Sequence, residues 1–297
     1  MSGLIAAREG TGGGPAALRI RLGTRLRRLR KLRQITREAA GWEIRASESK
    51  ISRMELGRVP FKERDVADLL TFYGVPEAER GELLDLARQA SAPGWWQEYA
   101  DVAPPWFLSY LGLEEAASLI RAYEVHFVPG LLQTHDYARA VIAHGHADAP
   151  PAEIDRRIAL RRNRQRVLRR PDPPQVWAVL DEAVLRRRLG GPAVMRGQLE
   201  ALIEAAELPH VHIQIVPFHA TTHAAAGLPF AILRFAESEL SDVVYVEQLT
   251  SALYLDKPSD VDLYAETMER ACLEAEPPDR TPAILRRVLD DLDDSET

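Results

Sequence analysis

The sequence predicts a multidomain chain, an all-α N-terminal domain followed by an α+β domain with a small sheet. Three observations lead there. Between residues 18 and 89 apolar side chains recur at three- and four-residue spacing, the period of amphipathic helices. From Gln175 onward short runs rich in Val, Ile and Phe take over, which read as strands. The charge is also divided. Residues 18–58 hold 13 Arg or Lys against 4 Asp or Glu, a net of +9, so a chain of net charge −6 leaves −15 for the remainder.

Composition narrows the class. Hydrophobic residues make up 46% of the 297 and charged residues 28%, the balance of a globular protein. No run approaches the roughly 20 apolar residues of a membrane span. The Gly-rich stretch 10–15 is not joined to an apolar core, which argues against a signal peptide and for the cytoplasm. A single cysteine, Cys272, excludes an internal disulfide and a thiolate metal cluster. A short basic module on an acidic remainder predicts a discrete basic reading head rather than a uniform nucleic-acid coat.

Taken in order, residues 1–17 are Gly- and Ala-rich and are expected to form a disordered leader. The helical domain spans 18–90. Leu22, Leu26 and Leu29 stripe its first helix, surrounded by Arg21, Arg25, Arg27, Arg28, Arg30 and Lys31. A second helix starts at Thr36, a capping residue, with Glu38 in its first turn, and runs to about Ile44. A third starts after Ser47, again a cap, and is stopped by Gly57. Its Ile51 and Met54 share one face toward Leu26 and Ile35, leaving Ser49, Lys50 and Arg53 outward. Helices over 63–73, ended by Gly74, and over 77–89 complete the set. Two short helices flanked by others, the second of the pair presenting small polar and basic residues, have the geometry of a helix-turn-helix. The major groove admits one helix, and a small residue such as Ser49 lets it approach while Lys50 and Arg53 donate to guanine or phosphate. The bland alternative is a basic helical bundle whose arginines are merely solvated.

Residues 22–57, above all Ile51-Ser52-Arg53-Met54-Glu55-Leu56-Gly57, resemble the helix-turn-helix of the lambda-repressor-like, xenobiotic-response-element family, and the likeness extends through Val75. The resemblance implies an all-α lambda-repressor-like domain that binds a double-stranded DNA operator with the helix after Ser47 in the major groove. By position Glu48, Ser49 and Lys50 correspond to the base-facing residues. Arg37 stands where a DNA-contacting Gln is often found, and Glu55 where a Glu commonly pairs with an Arg of the first helix. Arg28 is a candidate for that pair or for a phosphate. The expected DNA-contact set is Arg28, Thr36, Arg37, Ser47, Glu48, Ser49, Lys50, Ser52 and Arg53. Within it Ser49 and Lys50 read bases, while Arg28, Arg37 and Arg53 hold phosphates. There are two departures. Arg45 occupies the turn position where Gly is common, which calls for a turn built differently or one under strain. Gly41 sits where Ala is usual, which lets helices cross more closely.

Residues 91–112 are expected to be an aromatic hinge. Trp95, Trp96, Tyr99, Trp106, Phe107 and Tyr110 are 6 of the 20 aromatic residues within 16 positions, interrupted by Pro93, Pro104 and Pro105. The functional alternative is a partner or ligand surface, since Trp and Tyr anchor interfaces. Residues 113–289 are expected to be an α+β regulatory and dimerisation domain. A helix over 114–126 would enter a strand-like 124–128, then a turn at Pro129-Gly130 and a helix over 134–143. Residues 156–170 carry eight arginines and no acid: a long helix whose basic face meets either DNA phosphates or the chain's own or a partner's acids. Strands are expected over 175–180, 211–216, 230–235 and 243–247, with helices over 195–207 and 263–275 and an acidic tail over 290–297. The order of Pro129-Gly130-Leu131-Leu132-Gln133-Thr134, Asp181-Glu182-Ala183-Val184-Leu185 and Ile215-Val216-Pro217-Phe218 resembles the C-terminal domain of actinobacterial regulators described as antitoxin-like. That resemblance implies a small protein partner.

Chemistry is not expected. His210 and His212 share a strand face, His219 and His223 follow in a loop, and His144 and His146 pair, but none has the further ligands of a zinc site. Gly190-Gly191 is followed by Pro192 and lacks the lysine of a phosphate loop, and no nucleophile elbow occurs. The sequence therefore predicts no catalytic residue, no metal and no cofactor. It predicts a sequence-specific regulator that is a homodimer, since one module covers one half-site and modules of charge +9 repel each other. The alternative is an antitoxin-like protein that neutralises a small partner and autoregulates its operon.

Overall fold

A computed structural model describes residues 15–220, 228–236 and 240–294. The chain divides into two compact units, Met1–Gln97 and Glu98–Thr297; residues 105–112 of the stretch expected to be a hinge lie instead in the first α-helix of the second unit. In the first unit the described helices are α1 (Pro15–Leu32), α2 (Arg37–Glu43), α3 (Glu48–Glu55), α4 (Glu63–Phe72) and α5 (Glu77–Ala90). One core joins them: Leu22 and Leu26 of α1, Ile51 and Met54 of α3, Val66, Leu69 and Leu70 of α4 and Leu83 of α5, with Ile35 packed against it. Residues 15–17, expected in the leader, are helical. Pro15 opens α1 and Ala16 is buried, because packing on one face outweighs the small side chains of 15–17; residues 1–14 lie outside the described residues.

The ends of α1 to α4 share one device. The second residue past each helix takes a left-handed backbone, and its N–H and the next one bond back into the last turn, a Schellman motif. After α1, Gln34 N–H donates to Lys31 O (2.9 Å) and Ile35 N–H to Arg30 O (3.1 Å); after α2, Arg45 N–H donates to Trp42 O (3.2 Å) and Ala46 N–H to Gly41 O (2.8 Å). Gly57 and Gly74 do the same after α3 and α4. The four φ angles are 56°, 53°, 65° and 64° in chain order. Gly57 and Gly74 meet this requirement freely, whereas Gln34 and Arg45 carry a Cβ into it. The turn at Arg45 is thus built in the usual way and strained. Gly41 has a separate reason: a Cβ there would stand 2.6 Å from Ala46 O.

The second unit is built on a six-stranded mixed sheet in the order β3-β2-β1-β4-β5-β6. Its strands are β1 (Ala117–Glu124), β2 (Gln175–Asp181), β3 (Val211–Val216), β4 (Phe230–Phe235), β5 (Val243–Glu247) and β6 (Ala252–Leu255), and its helices α6 (Pro105–Ala116), α7 (His135–Gly145), α8 (Pro151–Gln165), α9 (Glu182–Arg186), α10 (Pro192–Ala205), α11 (Pro258–Glu274) and α12 (Thr281–Asp294). β1, β2 and β3 run parallel, joined by the crossovers α7–α8 and α9–α10 that parallel pairs need. β4, β5 and β6 continue from β1 as an antiparallel meander. Val176, Ala178, Val179 and Leu180 of β2 are all buried, the near-continuous apolar run of a strand covered on both faces.

Three expectations change here. The helix expected over 114–126 ends at Ala116, and Ala117–Glu124 is the central strand, held by β2 on one side and β4 on the other. β6 is an added strand. The acidic tail is helical through Asp294, because Leu285, Val288 and Leu292 form a buried stripe; residues 295–297 lie outside the described residues. The outer edge of β3 is covered by the end of α11 and the chain that follows it. Glu276 N–H donates to Ile215 O (2.9 Å), the buried Thr281 hydroxyl to Ile213 O (2.5 Å), and Gln214 Nε2 to Cys272 O (3.1 Å). Among the described residues no helix is long and apolar enough to cross a membrane.

Candidate nucleic-acid interface

The two capping hydroxyls set the paired helices. Thr36 Oγ1 accepts from Ala39 N–H (3.1 Å) at the start of α2, and Ser47 Oγ accepts from Lys50 N–H (3.2 Å) at the start of α3. α3 buries Ile51, Met54 and Glu55. With about 100° per residue, Ser49 and Arg53 lie opposite that buried face, Ser52 to one side, and Lys50 on its flank. Glu48, Ser49 and Arg53 are exposed, and Lys50 and Ser52 half-buried.

The charges divide into two groups. Glu55 is buried and accepts from Arg30 through Nε (2.5 Å) and Nη2 (3.0 Å), while Arg30 Nη1 reaches Ile35 O (2.7 Å). This pairing, first of all its hydrogen bonds, raises the guanidinium's pKa. The partner of Glu55 is therefore Arg30, and Arg28 stays exposed on α1. Arg37 Nε also contacts Glu55 (3.3 Å), and Lys50 Nζ pairs with Asp65 of α4 (2.7 Å). Two of the expected DNA contacts thus hold carboxylates in the free chain. Arg53 makes no such bond among the described residues, nor does Arg45 in the turn ahead of α3. Arg45 is outside the expected contact set; its exposure and the lack of a partner among the described residues are visible only in the fold.

The aromatic residues and the basic helix of the second unit explain each other. Arg164 of α8 makes a bidentate pair with the buried Glu114 (2.6 Å for both bonds) and lies over the rings of Tyr110 (5.1 Å) and Phe107 (5.7 Å). Arg156 pairs with Asp101 (2.7 Å) over the Tyr99 ring (5.2 Å), and Arg157 with Glu153 (2.7 Å). Trp106 lends its carbonyl to Tyr254 Oη (2.5 Å). In the first unit Trp95 meets Trp96 edge-on, and Arg19 lies over the Trp96 ring (5.7 Å). Trp96, Tyr99 and Tyr110 are buried and offer no surface to a partner; Trp95, Trp106 and Phe107 are half-buried. The basic face of α8 is largely spent on the unit's own acids and carbonyls.

Elsewhere in the second unit, Glu124 ends β1 and Glu247 ends β5 at the same end of the sheet. Burial, and then the charge of Glu247, push the Glu124 carboxyl up to about 8, against the opposing Arg164 and Arg161. His212 packs its ring on Trp177 (4.8 Å) and His210 Nε2 sits 3.1 Å from Leu168 O, so this pair is used in packing; His223 lies outside the described residues.

Two family models match the chain. One, described as a helix-turn-helix domain, covers residues 21–83; the other, described as a domain of unknown function (DUF5753), covers residues 107–287. No curated protein and no solved structure matches it.

Proposed function

The chain belongs to the DUF5753 family and carries a helix-turn-helix domain ahead of the matched region, and from that premise we propose that it is a sequence-specific, double-stranded-DNA-binding transcriptional regulator of the xenobiotic-response-element type. The observation that carries the reading is α3: an eight-residue helix capped by Ser47, anchored through Ile51, Met54 and Glu55, with Ser49 and Arg53 turned outward and Ser52 to one side. The Arg30–Glu55 pair supports the finer assignment, since the resemblance puts a Glu at that place against an Arg of the first helix. The protein works in the cytoplasm as a homodimer held by the second unit, which also receives a protein partner or ligand; it is a binding protein and not an enzyme. Dimerisation is favoured because one module reads one half-site.

Selection of bound fragments from the source genome by the full chain tests this. The expected result is a shared motif repeated at about 10–10.5 base pairs or a multiple. Binding no tighter to any fragment than to random DNA would overturn it and leave the antitoxin-like alternative as the better account, to be pursued by pull-down of a small protein. Sedimentation at micromolar concentration tests the dimer, which a strict monomer both on and off DNA refutes.

A further inference from the structure

We propose that Arg45, in the turn between α2 and α3, contacts a DNA phosphate, and that its left-handed backbone is kept for that contact; this rests on the DNA-binding reading above. The turn needs a positive φ, and Arg45 supplies it at 53°, where any residue with a Cβ is disfavoured and glycine is not. The same turn after α3 and α4 is closed by Gly57 and Gly74. Nothing among the described residues rewards an arginine here. Its side chain is exposed and makes no hydrogen bond or ion pair among the described residues. Its place does give it a use. It stands two residues ahead of the Ser47 cap, beside the helix end that approaches the groove, and contacts to phosphate fix the register of such a helix without reading bases. In the free chain Arg37 and Lys50 are held by Glu55 and Asp65, whereas Arg45 holds no carboxylate among the described residues.

Gln34 is the built-in control: the same turn, φ 56°, exposed, and uncharged. The experiment compares the full chain with Arg45→Gly, Arg45→Lys and Gln34→Gly. Each is titrated with a genomic fragment selected by the parent and with a random duplex of equal length, between 50 and 200 mM salt, and each is melted. Arg45→Gly is expected to melt no lower than the parent and to bind both duplexes about 3- to 10-fold more weakly, with the slope of log affinity against log salt reduced by about 0.9. Arg45→Lys keeps most of the affinity, and Gln34→Gly melts no lower while binding as the parent does. Unchanged affinity and slope in Arg45→Gly overturn the contact, a loss confined to the selected fragment overturns its assignment to phosphate, and a clearly lower melting temperature overturns the strain. If the parent itself prefers no fragment over random DNA, the DNA-binding reading fails, which is a different result from an indifferent variant.

Discussion

Removing the Glu55 carboxylate should cost the first unit a large share of its stability. Glu55 and Arg30 are 2% and 8% exposed, so the small values of surface ion pairs do not apply to them. Arg30 has three hydrogen bonds, two to Glu55 and one to Ile35 O. Glu55→Ala leaves a buried guanidinium with one of the three and no counter-charge, a change that costs about 3–5 kcal/mol. A unit of this size has about 4–12 kcal/mol in total at 0.05–0.15 per residue, so the loss is a large share of it. Amide hydrogen exchange on the full chain reads opening free energies region by region. The expected outcome is faster exchange through α1 to α4 with β2 and β3 unchanged. Replacing both partners, Arg30→Met with Glu55→Met, should recover to within about 1 kcal/mol of the parent, because an apolar pair needs no counter-charge. A loss below about 1 kcal/mol in Glu55→Ala, or a double variant as damaged as the two singles together, would refute the account of a buried, mutually dependent pair.

Three further outcomes are expected. Ser47→Ala removes the cap of α3 and should cost about 1 kcal/mol, seen as faster exchange of the Ser49 and Lys50 amides; equal protection would contradict it. Asp65→Asn releases Lys50 and should raise DNA affinity about two- to fivefold, the scale of a partly exposed ion pair, whereas unchanged binding would mean that Lys50 takes no part; Lys50→Ala should then weaken binding and relax preference at one or two bases by about 1–3 kcal/mol. In the second unit, Glu124 sits near 8 in the fold against an ordinary value of 4.5, so the folded state binds the proton more tightly. Its contribution is present in full below the ordinary value and is lost as pH rises through about 8. Chemical denaturation from about pH 5 to 9 should show the parent weakening relative to Glu124→Gln, and the opposite slope would remove the assignment.

What could be read in advance was whatever is settled by neighbours along the chain. Thr36, Ser47, Gly57 and Gly74 were legible because a cap or a left-handed turn is satisfied within a few residues. Arg30 was also within reach. It follows Leu22, Leu26 and Leu29 around the inner face, while Arg28, two residues earlier, points about 200° away. α12 carried its signal in Leu285, Val288 and Leu292, hidden by the acidic residues between them. β1 was not legible, since Ala-Ser-Leu-Ile-Arg-Ala-Tyr-Glu holds one β-branched residue and becomes a strand because β2 and β4 pair with it from far along the chain. The capture of Lys50 by Asp65 and of the α8 arginines by Glu114 and Asp101 belongs to the same class: the residues were in view and their partners were not.

The cover on β3 has a consequence for the time at which the second unit can form. β3 is complete at Val216, but the groups that satisfy its outer edge arrive with Glu276 and Thr281. At about 5–20 residues per second of synthesis, the strand waits on the order of 3–12 s for them, with its edge able to pair with any other unfinished copy on the same message. The helical unit that precedes it has no such wait. A premature stop between the two would therefore release a folded basic head joined to a sheet open along one side, a product expected to compete for DNA and to collect in aggregates.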